Sequence, residues 1–157
     1  MESFAERGGW WVVGQGALIG LYLLALLGTP SVTEGVALGF AQIVGVVVIA
    51  LAVFVGTWSL FLLRSQLTAM PAPTEQAVLV ESGPYRFVRH PMYGAVSFAM
   101  LGVALVDLNP WAVLFALLAF PFFMAKTGHE EDLLVKTFPG YREYRSRVQY
   151  RLVPWLL

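Results

Sequence analysis

Four stretches of this chain contain no Asp, Glu, Lys or Arg: Trp10 to Leu27, Val36 to Leu63, Gly94 to Val106 and Trp111 to Ala125. The first is about 18 residues, close to the minimum for a helix that crosses a bilayer. The second is about 28 residues, roughly 42 Å as a helix, so it must tilt or project beyond the hydrocarbon. The third and fourth, about 13 and 15 residues, are each marginal for a crossing. Asp107-Leu108-Asn109-Pro110 joins them as a tight hairpin, with Asn109 at the N-cap and Pro110 at the first helical position. Pro121 should kink the fourth helix. A composition 58% hydrophobic and 13% charged, with mean hydropathy +0.70, leaves the membrane as the only solvent that suits such surfaces.

Charge placement sets the expected orientation. All 10 Lys and Arg lie in three places: Arg7, the central group Arg64, Arg86 and Arg89, and the tail from Lys126 onward. The two intervening loops hold only Glu34 and Asp107. Four crossings put the three basic regions on one side, which the positive-inside rule makes cytoplasmic, so both termini face the cytoplasm of a cell (inner) membrane. The amino terminus carries Glu2 and Glu6 with Arg7, unlike the basic start of a signal peptide, so the first helix is expected to be retained. The fold class is therefore all-α and integral to the membrane. About four transmembrane helices are expected, the last two a short hairpin, with cytoplasmic amphipathic helices at the C-terminus.

One domain over residues 1–157 is expected: two membrane helices in 1–63, a cytoplasmic connector in 64–93, the hairpin in 94–125 and a cytoplasmic tail in 126–157. Pro71-Ala72-Pro73 breaks any helix in the connector. Gly16 with Gly20, and Gly35 with Gly39, form GxxxG pairs, and Ala37, Ala41 and Gly45 extend a smooth stripe. Close helix packing accounts for them and permits a homodimer without requiring one. Gln15 and Gln42, alone in apolar helices, are expected to hydrogen-bond between helices. In the tail, Thr127-Gly128-His129-Glu130 reads as a capping box opening a short helix that Pro139-Gly140 ends. A second amphipathic piece follows, with Tyr141, Tyr144 and Val148 on one face and Arg142 and Arg145 on another.

Polar groups concentrate at one helix mouth. Gly83-Pro84-Tyr85-Arg86-Phe87-Val88-Arg89-His90-Pro91-Met92-Tyr93-Gly94 sets two arginines, two tyrosines and one of only two histidines beside an apolar helix. The Glu130-Glu131 pair follows the last apolar run. Asp132 has Lys136 four residues on, an ordinary helical ion pair. Taken singly, each side chain has a structural reading: His90 as a helix-start residue, Arg86 and Arg89 reaching lipid phosphate, Tyr85 and Tyr93 as interface anchors. Together they mark a site, since ionisable groups at membrane level are functional by default. No spacing matches a zinc or di-iron pattern, so no metal is expected. Without cysteine, thiolate chemistry is excluded, and the sparse charge gives nucleic-acid binding no support.

The motif at 83–94, then Glu130-Glu131-Asp132-Leu133, Pro139-Gly140-Tyr141-Arg142-Glu143-Tyr144 and Arg151-Leu152-Val153-Pro154, resembles one family in content and order. It is similar to the isoprenylcysteine carboxyl methyltransferases and their prokaryotic relatives, which extend to phospholipid methyltransferases. The resemblance covers about residues 80–155 and implies a membrane enzyme that uses S-adenosylmethionine. It implies that His90 and Tyr93 hold the cofactor's methionine part, and that Glu130 and Glu131 take its ammonium or ribose hydroxyls. Tyr85 and the backbone at Gly83 would line the pocket. The acceptor would be lipophilic or membrane-associated, a carboxylate, amine or thiol, amid membrane lipids. For an anionic acceptor Arg151 and Arg147 are the candidates, with Arg89 third. Two alternatives remain: an NADPH-dependent enzyme akin to the membrane sterol reductases, which share the paired acids and closing Arg-x-x-Pro, and a non-catalytic membrane scaffold.

Overall fold

The computed structural model describes residues 4, 8–32, 37–64 and 78–156, and among these the chain is helical with no strand. Helix α1 spans Gly9–Gly28, α2 Ala37–Leu63, α3 Pro91–Asp107, α4 Pro110–Thr137 and α5 Tyr141–Arg147, with a 3₁₀ turn at Gly83–Arg86. The break expected at Pro71–Pro73, and Glu34 and Gly35, lie outside the described residues. Where the sequence stops a helix, the reason is local. Pro30 biases Thr29 to an extended conformation (φ −123°, ψ 146°), and the Thr29 N–H donates back to the Ala25 carbonyl.

Helices α1, α2 and α4 are long and apolar enough to cross a membrane; α3, with 17 residues, is shorter. At about 26 Å, α3 falls just short of the hydrocarbon thickness. The protein is an integral membrane protein in which α2 packs along α3, α3 against α4, and α4 against α1. The small-residue seam lies at Gly45 and Gly102. A Cβ on Gly45 would sit 2.7 Å from the Gly102 carbonyl oxygen, and one on Gly102 would sit 2.8 Å from that of Gly45. Only glycine allows the α2 and α3 backbones to approach this closely.

The pair expected to do this work, Gly16 with Gly20, does not. Among the described residues, no atom of another element lies within 4 Å of where a Cβ would stand on either, and Gly39 is equally open. Helix α1 meets its neighbours through Tyr22 and Ala25 instead, and the Tyr22 hydroxyl donates to the Met100 carbonyl at 2.7 Å. The two lone glutamines behave as expected: Gln42 Nε2 donates to the Val106 carbonyl at 3.2 Å, and Gln15 Oε1 accepts from Lys126.

Asn109 caps α4 by accepting from the N–H groups of Trp111 (3.1 Å) and Ala112 (3.0 Å). Its amide also donates to the Ala25 carbonyl at 3.0 Å, tying the end of α1 to the α3–α4 turn. Helix α4 corrects a second expectation. The capping box at Thr127 does not form: the helix runs unbroken through Pro121 and Gly128 to Thr137. The Thr127 hydroxyl donates to the Met124 carbonyl three residues back, as a mid-helix threonine does. An interior glycine weakens a helix by only about 1 kcal/mol, so packing overrides it, and the strong breaker is Pro139-Gly140. Helix α4 therefore carries Glu130 and Glu131 on the same rigid rod that packs in the bundle.

Candidate functional site

At the lower end of α4, Glu131 is buried with only 1% of its side chain exposed. Its Oε1 accepts from Arg89 Nε at 2.7 Å and lies 3.3 Å from both His90 Nε2 and Arg151 Nε. Its Oε2 lies 3.6 Å from Arg145 Nε and has no hydrogen-bond partner among the described residues. One carboxylate thus gathers groups from the segment before α3, from α5 and from the tail.

The local chain explains the gathering. Pro91 opens α3, and His90 before it lies outside the helical region (φ −128°, ψ 60°), so the Arg89 and His90 N–H groups find no partner within a helix. The tail supplies partners: Arg89 N–H donates to the Tyr150 carbonyl at 3.0 Å, and His90 N–H to the Arg151 carbonyl at 2.8 Å. The Arg89 guanidinium also donates to the Val148 carbonyl. One turn into α3, a Cβ on Gly94 would lie 2.5 Å from the Leu152 carbonyl oxygen, so the tail can cross here only over glycine. Tyr141 and Tyr144 of α5, with Val148 just past its end, pack against Leu79, Leu134, Val135 and Phe138, and the Tyr144 hydroxyl donates to the Tyr85 carbonyl at 2.8 Å.

Beside Glu131, the Glu130 carboxylate accepts from the Tyr93 hydroxyl at 2.9 Å and lies 3.9 Å from His90 Nδ1. The Tyr93 ring stacks on Phe123 (centroids 4.9 Å apart, planes 12° apart) and less closely on His90 (5.9 Å, 20°). Lys126 Nζ lies 4.7 Å from the centre of the Tyr93 ring and donates to Gln15 at 2.6 Å, although the residue is only 2% exposed. Burial pushes the Tyr85, Tyr141 and Tyr144 phenols well above their ordinary range, with nearby acids adding to it and Arg89 opposing it at Tyr141 and Tyr144, so all three stay protonated.

Among the residues singled out from sequence, Arg89, His90, Tyr93, Glu130, Glu131 and Arg151 come together in one cluster. Tyr85 is buried next to it through Tyr144 and within reach of the Glu130 charge. Gly83 stands apart, pressed between Trp58 and Leu62 of α2, and Arg147 pairs with Glu81 at 2.6 Å on the exposed side. Two cluster members were not singled out as site residues from sequence. Lys126 carried a usable signal, as the first charge after an apolar run and one turn before Glu130. Arg145 carried none, because helical spacing puts it on the exposed face of α5 and only the tertiary position of Glu131 brings its Nε close.

An all-α membrane bundle with a buried carboxylate collecting imidazole and guanidinium groups at one helix mouth is the class of protein that this geometry defines. Comparison with known sequences makes that class specific. The chain belongs to the phospholipid methyltransferase family, whose family model matches residues 40–140. Over 73 residues it is 36% identical to the protein-S-isoprenylcysteine O-methyltransferase of Saccharomyces cerevisiae. Over 73 residues it is 30% identical to the enzyme of the same name from Dictyostelium discoideum. Each match covers 45% of this chain but only 30% and 31% of the respective relatives, so the chain spans under a third of the curated relatives it matches.

Proposed function

We propose that this protein transfers a methyl group from S-adenosylmethionine to a lipophilic or membrane-associated acceptor. The observation that carries the reading is the convergence of the Arg89-His90-Pro91-x-Tyr93 stretch, the Glu130-Glu131 pair and Arg151 at one helix mouth, in a chain of this family. Buried ion clusters rarely repay their desolvation in stability, so one retained in a membrane bundle argues for use.

The donor and acceptor set suits the cofactor. Its ammonium and ribose hydroxyls are hydrogen-bond donors, and Glu131 Oε2 is a buried acceptor still lacking one, beside the partly open Glu130. Glu130 and Glu131 would hold those donors, His90 and Tyr93 the methionine part, and Tyr85 with the backbone near Gly83 the wall of the pocket. Bound there, S-adenosylmethionine supplies an electrophilic methyl on a sulfonium. The protein's part is to fix orientation and exclude water, which the Tyr93–Phe123 stack and the crossing tail favour.

Glu131 faces three guanidiniums, Arg89, Arg145 and Arg151, so even with the Glu130 carboxylate beside it the cluster holds a surplus of positive charge. That surplus favours a carboxylate acceptor, which needs a cation to orient it and no general base; an amine or thiol would first have to lose a proton. Arg151 and Arg145, with 26% and 47% of their side chains exposed, are the cluster arginines open to an acceptor. Arg89 is held by Glu131 and Val148, and Arg147 by Glu81. The relatives are named for an isoprenylcysteine substrate, which makes a carboxylate on a lipidic body the leading acceptor class here. By the positive-inside rule the site and both termini face the cytoplasm.

Calorimetry on detergent-purified protein tests the reading. S-adenosylmethionine and S-adenosylhomocysteine should bind with micromolar affinity, weakened at least tenfold in Glu130→Gln. Absence of binding to folded wild-type protein in lipid nanodiscs would refute it.

A further inference from the structure

Between the segment before α3 and the tail, a cavity of about 250 Å³ opens among Arg86, Phe87, Arg147, Tyr150, Pro154 and Trp155. We propose that this pocket binds the phosphate headgroup of an anionic membrane lipid.

Three observations converge. The first is charge. Arg86 is exposed and has no ion pair among the described residues, while Arg147 is paired with Glu81, so the pocket keeps one unbalanced guanidinium and a second within it. Guanidinium geometry matches two oxygens of a phosphate better than any other common anion but carboxylate.

The second is the apolar rim. Phe87 is 59% exposed, Trp155 80% and Leu156 75%, all outside the membrane-spanning helices. Trp155 holds a φ of 62°, a region that bulky side chains avoid, so the backbone here is strained in presenting the indole outward.

The third is level. The pairing of Arg89 and His90 with Tyr150 and Arg151 pins this part of the tail at the first residue of α3, where an apolar helix gives way to the charged segment before it. Exposed aromatics and unpaired arginines at that boundary face lipid headgroups. An anionic phospholipid supplies both halves of the match, a phosphate for Arg86 and Arg147 and acyl chains for the apolar rim. Free phosphate would leave Phe87, Trp155 and Leu156 without a partner.

Native mass spectrometry of delipidated protein tests this without any enzymatic readout, so the outcome is independent of the methyltransferase reading. Phosphatidylglycerol should be retained in preference to phosphatidylcholine of the same chains. Arg86→Gln, which removes no hydrogen bond or ion pair among the described residues, should lower that preference about fivefold, the usual effect of one basic residue at a membrane surface. Trp155→Gly should weaken retention of both lipids. Equal retention of the two lipids by the wild type, or an unchanged preference in Arg86→Gln, would overturn the proposal. Displacement of the lipid by millimolar inorganic phosphate would also overturn it and make the pocket a free-phosphate site.

Discussion

Glu131→Gln is the perturbation whose consequence the geometry defines most sharply. The carboxylate is 1% exposed and the Arg89 side chain 5%, with 2.7 Å between Nε and Oε1. Neutralising Glu131 leaves Arg89 buried with only the Val148 carbonyl and a neutral amide as partners. Stranding one charge of a buried pair destabilises by about 3–5 kcal/mol. Arg89→Met strands Glu131 less completely, because His90, Arg145 and Arg151 remain within 3.3 to 3.6 Å; the loss then comes largely from the unpaired Val148 carbonyl, about 1–3 kcal/mol. In the double variant neither charge is stranded by the other, so the two losses should fall short of additivity by about 2–3 kcal/mol. Denaturant unfolding in detergent micelles, followed by tryptophan fluorescence, reads all four corners of this cycle. A loss under about 1 kcal/mol for Glu131→Gln, or additivity within about 0.5 kcal/mol, would refute the view that this carboxylate organises the helix mouth.

Three further outcomes follow from single contacts. Gly94→Ala puts a methyl 2.5 Å from the backbone oxygen of Leu152, and the tail must lift; we expect a loss of about 1–3 kcal/mol and faster proteolysis after residue 147, measured by limited digestion. Tyr93→Phe removes the hydroxyl that Glu130 accepts from while keeping the ring stack on Phe123, so thermal stability should fall by about 1–3 kcal/mol while S-adenosylmethionine affinity changes more than that loss of stability requires. Asn109→Ala loses the α4 cap and the tie to Ala25 together; the cap alone is worth about 0.5–2 kcal/mol, and hydrogen exchange should accelerate at both Thr29 and Ala112.

Much of the architecture was legible in the residues. Uncharged apolar runs determine membrane helices because the bilayer leaves the backbone no other way to satisfy its polar groups. Asn109-Pro110, Thr29-Pro30 and Pro139-Gly140 act through their own side chains or rings, so the ends they impose needed no knowledge of neighbours. The shared side of Tyr141, Tyr144 and Val148 was readable for the same reason, since helical spacing puts them together, although Val148 stands just past the end of α5. Thr127-Gly128-His129-Glu130 misled because a capping box and a mid-helix threonine look alike until the preceding turn is known to be helical.

What tertiary structure decided is who meets whom. Gly16 with Gly20 and Gly45 are equally good small-residue signals, yet only Gly45 finds a partner, because α2 lies along α3 while α1 turns Tyr22 and Ala25 toward its neighbours. Glu130 and Glu131, adjacent in sequence, point about 100° apart on a helix. That turn sends one carboxylate to Tyr93 and buries the other among Arg89, His90, Arg145 and Arg151. Sequence alone thus determined which segments form the apolar helices and which groups were available for chemistry. Their division into a buried organiser and an open acceptor came only from packing, because burial is a property of neighbours contributed by distant parts of the chain.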